Sequence, residues 1–218
     1  MKKLNTHVVR AALVCCCVLF ALPLFAQPKY EVGVLGLISS YQSVDVTAPS
    51  GSGKTGADFG GGGGFLVGQT GDHWGGEFRY LFSRNNFTVD SGSQEASLAG
   101  QSHTIHYDVL YHFSDTDANV RPFLAAGFGV KVFQPTGAEQ ENQAGSDLVL
   151  LTRTTQTRPV GDFGAGVKVK VGGGGMFRAE FRDYISQTPT EVLAPSLGAD
   201  VGDILHQWTA LFGFSWTF

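Results

Sequence analysis

The sequence predicts an all-β fold, an eight-stranded antiparallel up-and-down transmembrane β-barrel. Three observations carry this. Apolar residues alternate with small or charged ones over eight segments, the connections between them are by turns short and long, and 30 glycines stand among 218 residues that are 12% aromatic and only 16% charged. Glycine at that level without a collagen-like period argues against helices and leaves strands joined by glycine-rich turns.

The N-terminal stretch is of another kind. Met1-Lys2-Lys3 and Arg10 flank an apolar run over residues 11–20, and small Ala26 precedes Gln27-Pro28. This pattern is that of a secretory signal peptide over residues 1–26, leaving 27–218 as the barrel domain. The run falls short of the ~20 apolar residues of a spanning helix, and Pro23 interrupts its end. Cys15, Cys16 and Cys17 all lie in this leader, so disulfide and thiolate chemistry are excluded from the mature chain. Val14 stands before Cys15, where a lipidation signal takes glycine or alanine. Losing Lys2, Lys3 and Arg10 leaves 12 basic against 19 acidic residues, a net charge of −7. A nucleic acid or other polyanion is therefore not an expected partner.

The strands are expected at 30–41, 57–69, 74–86, 100–114, 120–134, 155–171, 176–187 and 204–218. Each has an apolar phase, such as Trp74/Phe78/Tyr80/Phe82 or Trp208/Ala210/Phe212/Phe214/Trp216/Phe218, and an opposite phase of glycine or charge. The connections at 69–73, 115–119 and 172–175 are tight, whereas those near 42–56, 87–99, 135–154 and 188–203 are long and polar. Short turns on one side and long loops on the other are the habit of outer-membrane barrels, with the short turns periplasmic.

Alternation alone does not say which face is outside, since a soluble barrel around a greasy ligand shows the same period. Three features favour lipid outside. Aromatics such as Trp74, Tyr111, Phe113 and Trp216 gather near the short-turn side as an interfacial girdle. The charged phase is complementary in sign and rich in glycine, as a narrow lumen requires. The last residue, Phe218, closes an apolar phase with Phe214 and Trp216.

That ending resembles the C-terminal signal by which outer-membrane barrels are handed to their assembly machinery. Within the chain, Arg121-Pro122-Phe123-Leu124-Ala125-Ala126-Gly127-Phe128-Gly129 resembles the RPYxGxGxG fifth strand of OmpA-like eight-stranded barrels. Gly161-Asp162-Phe163-Gly164-Ala165-Gly166-Val167-Lys168, followed by Phe177-Arg178-Ala179-Glu180-Phe181-Arg182-Asp183-Tyr184, resembles that family's sixth and seventh strands. The resemblance implies a small barrel in the bacterial outer membrane, in contact with its lipid and lipopolysaccharide. The family includes structural proteins, adhesins and small pores, so it does not single out an activity. The chain stops at the barrel, so the cell-wall anchoring of OmpA itself is not expected.

Four constellations invite a chemical reading. Ala48-Pro49-Ser50-Gly51-Ser52-Gly53-Lys54-Thr55 nearly spells a phosphate-binding loop, but the helix whose N-terminus would face the phosphates is replaced by Gly56-Ala57-Asp58-Phe59 and five glycines. A flexible extracellular loop is expected there. His112-Phe113-Ser114 resembles the His-x-Ser of barrel-borne lipid A deacylases, yet it abuts the periplasmic turn at Asp115, and no Glu or Asp occurs in the dozen residues after Asp117 to complete a triad. His103, His106 and Asp108 would suit a metal, but His103 points away from the other two, so a lumenal hydrogen-bond pair is expected and no metal. The loop acids Glu139, Glu141, Asp147, Glu191, Asp200 and Asp203 are expected to be solvated, with divalent cations that bridge lipopolysaccharide as a second reading.

The lumenal charges form the largest set: Glu77, Arg79, Asp108, Arg121, Lys131, Asp162, Lys168, Lys170, Arg178, Glu180 and Arg182. In a space about wide enough for side chains, unpaired charges are costly, so an ion-paired plug is expected. With no catalytic residue, cofactor or metal assigned, the expected role is non-enzymatic: envelope integrity or surface interaction through four long loops. The alternative is a small ion-conducting pore gated by exchange among these charge pairs. The sequence does not name the ligand of the loops or the oligomeric state.

Overall fold

The computed structural model describes residues 29–92, 94–138 and 143–218; the expected leader and the loop acids Glu139 and Glu141 lie outside the described residues. In chain order the strands are β1 (Lys29–Tyr41), β2 (Val44–Ala48), β3 (Gly51–Ala57), β4 (Gly60–Thr70) and β5 (Trp74–Arg84). Next come β6 (Phe87–Asp90), β7 (Glu95–Leu98), β8 (Gly100–His112), β9 (Val120–Pro135) and β10 (Val149–Leu151). The last are β11 (Gln156–Gly172), β12 (Gly175–Gln187), β13 (Leu193–Pro195), β14 (Asp200–Val201) and β15 (Ile204–Thr217).

Eight of these close a barrel in the order β1-β15-β12-β11-β9-β8-β5-β4, every neighbour antiparallel. They match the eight expected segments to within a few residues. The chain ends meet at the seam, where β1 runs against β15 from Glu31 opposite Thr217 to Tyr41 opposite Gln207. Phe218 extends that pairing, exchanging backbone hydrogen bonds of 3.0 Å with Tyr30 and stacking on its ring at 6.3 Å. Between β11 and β12 the two-residue turn Gly173-Gly174 has positive φ at both positions, 59° and 78°, the left-handed pair a tight hairpin demands.

The faces sort as a membrane barrel requires. Phe128 is 67% exposed and Trp74 64%, whereas Arg79, Arg178 and Arg182 are each fully buried. This is the reverse of a soluble barrel, and the exposed band is covered when lipid wets it. At the short-turn end Trp74 meets the Tyr111 ring edge-on at 5.1 Å, and Tyr111 meets Phe113 at 5.4 Å, so three of the four expected girdle residues are in contact, Trp216 standing apart on β15.

The four long connections correct the expectation of flexible polar loops. Among the described residues they build a five-stranded sheet, β14-β2-β3-β6-β7, and a two-stranded one, β10-β13. The phosphate-loop-like stretch is part of this sheet, its residues pairing as the hairpin of β2 and β3, Asp45 opposite Lys54 and Thr47 opposite Ser52. The physical reason is a second apolar cluster: Val46, Phe87, Val89, Leu98, Leu148, Val149, Val192 and Leu193 pack with Phe133 and Leu205 from the barrel rim. Short alternating pairs such as Val44/Val46, Phe87/Val89 and Ala96/Leu98 carry that signal, each too brief to stand out beside ten-residue strands. Val149, fully buried, is the test residue. Val149→Ala is expected to cost the cap about 2 kcal/mol in lost methyl burial and cavity. In limited proteolysis the cap strands should then be cut while the barrel keeps its shifted, unboiled mobility on a denaturing gel.

Candidate functional site

The lumen is built by the inward phase of all eight barrel strands, and its charges fall on neighbouring rungs. Glu77 on β5 is the lower hub. Its carboxylate accepts from Arg79 Nη2 at 2.7 Å, from Arg178 Nη1 and Nη2 at 2.8 and 2.9 Å, and from Lys168 Nζ at 3.0 Å. Glu31 on β1 accepts from the same Lys168 and Arg178, at 2.7 and 2.8 Å. Glu180 on β12 is the upper hub, bound by Arg79 at 3.0 Å, by Arg178 at 3.1 Å and by two nitrogens of Arg182 at 3.0 and 2.9 Å. Asp108 lies 3.0 Å from Arg79 and 3.2 Å from Arg182, which also donates to Asp162 at 2.6 Å. Guanidinium groups suit these shared positions because their planar fork offers several donors at once.

The network is closed above and below by apolar side chains. Lys168 Nζ and the Arg178 guanidinium sit 5.5 and 5.6 Å from the centre of the Phe123 ring, a cation–π floor. Leu35, Leu37, Leu66, Leu81, Val160, Tyr184 and Leu211 form an apolar layer in the lumen. Around its upper edge Ser83, Thr104, Gln207 and Thr209 line a cavity of about 10 Å³, room for a single water molecule.

Three of the expected members do other work. Among the described residues Arg121 binds no carboxylate side chain; it donates to the backbone carbonyls of Gly71 and Asp72 at 2.8 Å and of Ser114 at 3.3 Å, tying two periplasmic turns together. Asp72 in that bundle is bonded by the Thr116 hydroxyl at 2.7 Å, which holds its carboxyl below the usual carboxylate range. Lys131 is buried but has no acid within ion-pair distance among the described residues; it donates to Gln207 and lies 4.8 Å over Tyr41 and 5.1 Å over Phe133. Lys170 sits half-buried at the periplasmic end of β11, outside the network. Register explains part of the sorting: Arg121 stands opposite Lys168, and Lys131 opposite Arg158 and Thr104, so neither has an acid across from it in those pairings.

Glu31 is the member that sequence reading passed over. Its signal is present, since it interrupts Tyr30 and Val32 on the phase opposite to theirs. A second omission is on the outer face, where Asp183 Oδ2 lies 2.7 Å from His206 Nδ1, with the His206 ring stacked on Trp208. The His-x-Ser constellation is not assembled. His112 packs on Phe123 at 5.6 Å, and neither of its ring nitrogens has a hydrogen-bond partner among the described residues. His103 points outward to the Tyr80 hydroxyl at 2.8 Å, as its strand phase predicts. Of the metal-type residues, His106, Asp108 and Asp162 converge, their ligand atoms all within 4.8 Å of one another.

An apolar, aromatic-girdled exterior around an ion-filled interior defines an integral outer-membrane barrel. Comparison places it more closely: residues 12–218 match the outer membrane protein beta-barrel domain model, and the chain belongs to that family. Among solved structures it is similar to Neisserial surface protein A, with 15% identity over 87% of this chain and 97% of that one and a TM-score of 0.54. It is also similar to the N-terminal barrel of OprF from Pseudomonas aeruginosa, with 15% identity over 88% of this chain and 100% of that one and a TM-score of 0.46. For Ail of Yersinia pestis, bound to the heparin analogue sucrose octasulfate, identity is 10% over 88% of this chain and 100% of that one, TM-score 0.48. No curated protein sequence matches the chain. The fold places the protein in the lipid of the bacterial outer membrane.

Proposed function

We propose that the protein is a non-enzymatic surface barrel whose extracellular cap, held on a rigid ion-locked stalk, serves envelope integrity or surface interaction. The observation that carries this reading is the cap's own hydrophobic cluster. A preformed surface loses little conformational freedom when it meets a partner, which favours binding over mere tethering. His112, packed on Phe123 with no hydrogen bond to a serine among the described residues, supports the non-enzymatic part. Residues 1–26 serve as the export leader, and Phe214, Trp216 and Phe218 present the ending that the assembly machinery reads. Lipopolysaccharide surrounds the rim, and the acidic residues of the cap favour bridging divalent cations as partners over polyanions.

The test is a variant whose four outer connections are cut to short turns. It should still fold, shown by altered mobility of the unboiled protein on a denaturing gel. Cells carrying it should admit large hydrophobic antibiotics or lose surface adhesion relative to cells with the intact chain. Equal behaviour of the two strains removes the cap from the function. Lipid A whose acyl pattern changes on overexpression would instead mark an enzyme.

A gated pore is the second reading, favoured by one feature: Lys168 and Arg178 are each shared between Glu31 and Glu77, so a cation can change partner without leaving the network. Single-channel recording in planar bilayers decides it. Discrete steps that Glu77→Gln abolishes support the gate; a silent membrane removes it.

A further inference from the structure

Among the described carboxylates of the lumen, two turn an oxygen away from the arginines. Asp108 holds Oδ2 at ion-pair distances of 3.0 and 3.2 Å from Arg79 and Arg182, without an aligned hydrogen bond, and its Oδ1 has no donor at all; Asp162 gives Oδ1 to Arg182 while Oδ2 has none. Both side chains are at least 99% buried. Leaving charged oxygens without a partner in such a place is expensive, and native structures keep such groups for a reason.

The two free oxygens face the same nitrogen. His106 Nε2 is 3.5 Å from Asp108 Oδ1 and 3.8 Å from Asp162 Oδ2, and the Tyr184 hydroxyl is 3.5 Å from it on a further side. Donors bound at 2.0–2.2 Å to one ion at tetrahedral to trigonal angles lie roughly 3.3–3.8 Å apart. The backbone makes the convergence possible. Gly127 on β9 pairs with Asp108 on one side and Asp162 on the other, so the aspartates stand in one row across three strands with a bare glycine between them. A Cβ at this position would lie 2.0 Å from Asp108 Oδ1 and 2.6 Å from Asp162 Oδ2.

The charge count leaves room for a cation. The described network joins Glu31, Glu77, Asp108, Asp162 and Glu180 to Arg79, Lys168, Arg178 and Arg182, which leaves one negative charge unmatched; a bound dication would turn that into a single positive charge. The arginines that grip the opposite oxygens orient the carboxylates as the outer shell of a metal site does, and the His106 ring is steadied edge-on against Tyr184 at 5.4 Å.

We propose that His106 Nε2, Asp108 Oδ1 and Asp162 Oδ2 bind a divalent transition-metal ion of the zinc class inside the barrel, with the Tyr184 oxygen or a water as fourth ligand. One nitrogen and three oxygens match zinc or cobalt better than calcium, which takes six to eight oxygens. The ion cross-links β8 to β11 over β9.

The test uses the leaderless chain refolded into detergent with Zn²⁺ or Co²⁺, desalted, and assayed for bound metal by elemental analysis. One equivalent per folded chain is expected, and Co²⁺ should give the visible absorption of a four-coordinate site. Asp162→Asn and His106→Gln should each lower retained metal about tenfold or more, as should Gly127→Ala, which alters no ligand but wedges the aspartates apart. Folding is read separately by gel mobility, and the wild-type measurement stands whether or not a variant folds. A folded wild-type barrel that retains no more metal than its desalting blank overturns the site. Retention of a full equivalent by a folded Asp162→Asn/His106→Gln double variant overturns it equally.

Discussion

Glu77→Gln is expected to lower the stability of the folded barrel by about 3–5 kcal/mol, read as a shift of the urea unfolding midpoint in lipid vesicles at constant slope. Glu77 is 1% exposed and is shared by Arg79, Arg178 and Lys168. Glutamine keeps the volume and one acceptor oxygen but removes the charge, so three buried cations lose a common anion at once. Lys168 is left with Glu31 alone. Glu31→Gln should cost less, because both of its cations keep Glu77. Lys170→Gln, outside the network and partly exposed, should fall within about 0.5 kcal/mol of wild type. The double variant Glu77→Gln/Lys168→Met should recover part of the loss, since removing both members of a buried pair leaves no stranded charge. Equal small effects at Glu77 and Lys170 would mean that the lumen is wet and the network solvated.

That ranking could not be drawn from the sequence, although the barrel could. Strand positions follow from a period of two sustained over ten or more residues, which only one arrangement of faces satisfies, and the glycine-rich turns fix the hairpins between them. Membership of the lumen follows from phase, and ten of the eleven charged residues expected there are buried, Lys170 being the exception. Partnership does not follow from phase. It depends on the stagger between strands distant in sequence: Glu77 and Arg178 lie 101 residues apart, Glu31 and Arg178 147 apart. The same limit hid the convergence of Asp162 with His106 and Asp108, which needs β8, β9 and β11 in their true register. The cap was hidden for another reason: its strands are two to seven residues long, and their apolar side chains gain meaning only when four connections pack together.

Phe128→Arg should cost about 2–4 kcal/mol, whereas the same change at Phe113 should cost about 0–1 kcal/mol, both measured by urea unfolding in vesicles. Phe128 lies midway along β9, opposite Tyr107 on β8 and Gly161 on β11, with no acid directly across from it. Its ring is 67% exposed, so a longer side chain meets no steric barrier and the cost is that of a guanidinium in hydrocarbon. Phe113, 57% exposed, stands just past the end of β8 beside Tyr111 and the periplasmic turn, where arginine can reach headgroups and water. Phe163 would be a poorer probe, because Asp183 stands opposite it in the register and would pair with the new cation. Depth dependence is the decisive part. Two exposed phenylalanines of the same face differ chiefly in their distance from the bilayer centre, so a barrel standing in water would tolerate arginine equally at both. In lipid the penalty must climb toward the middle of the strand.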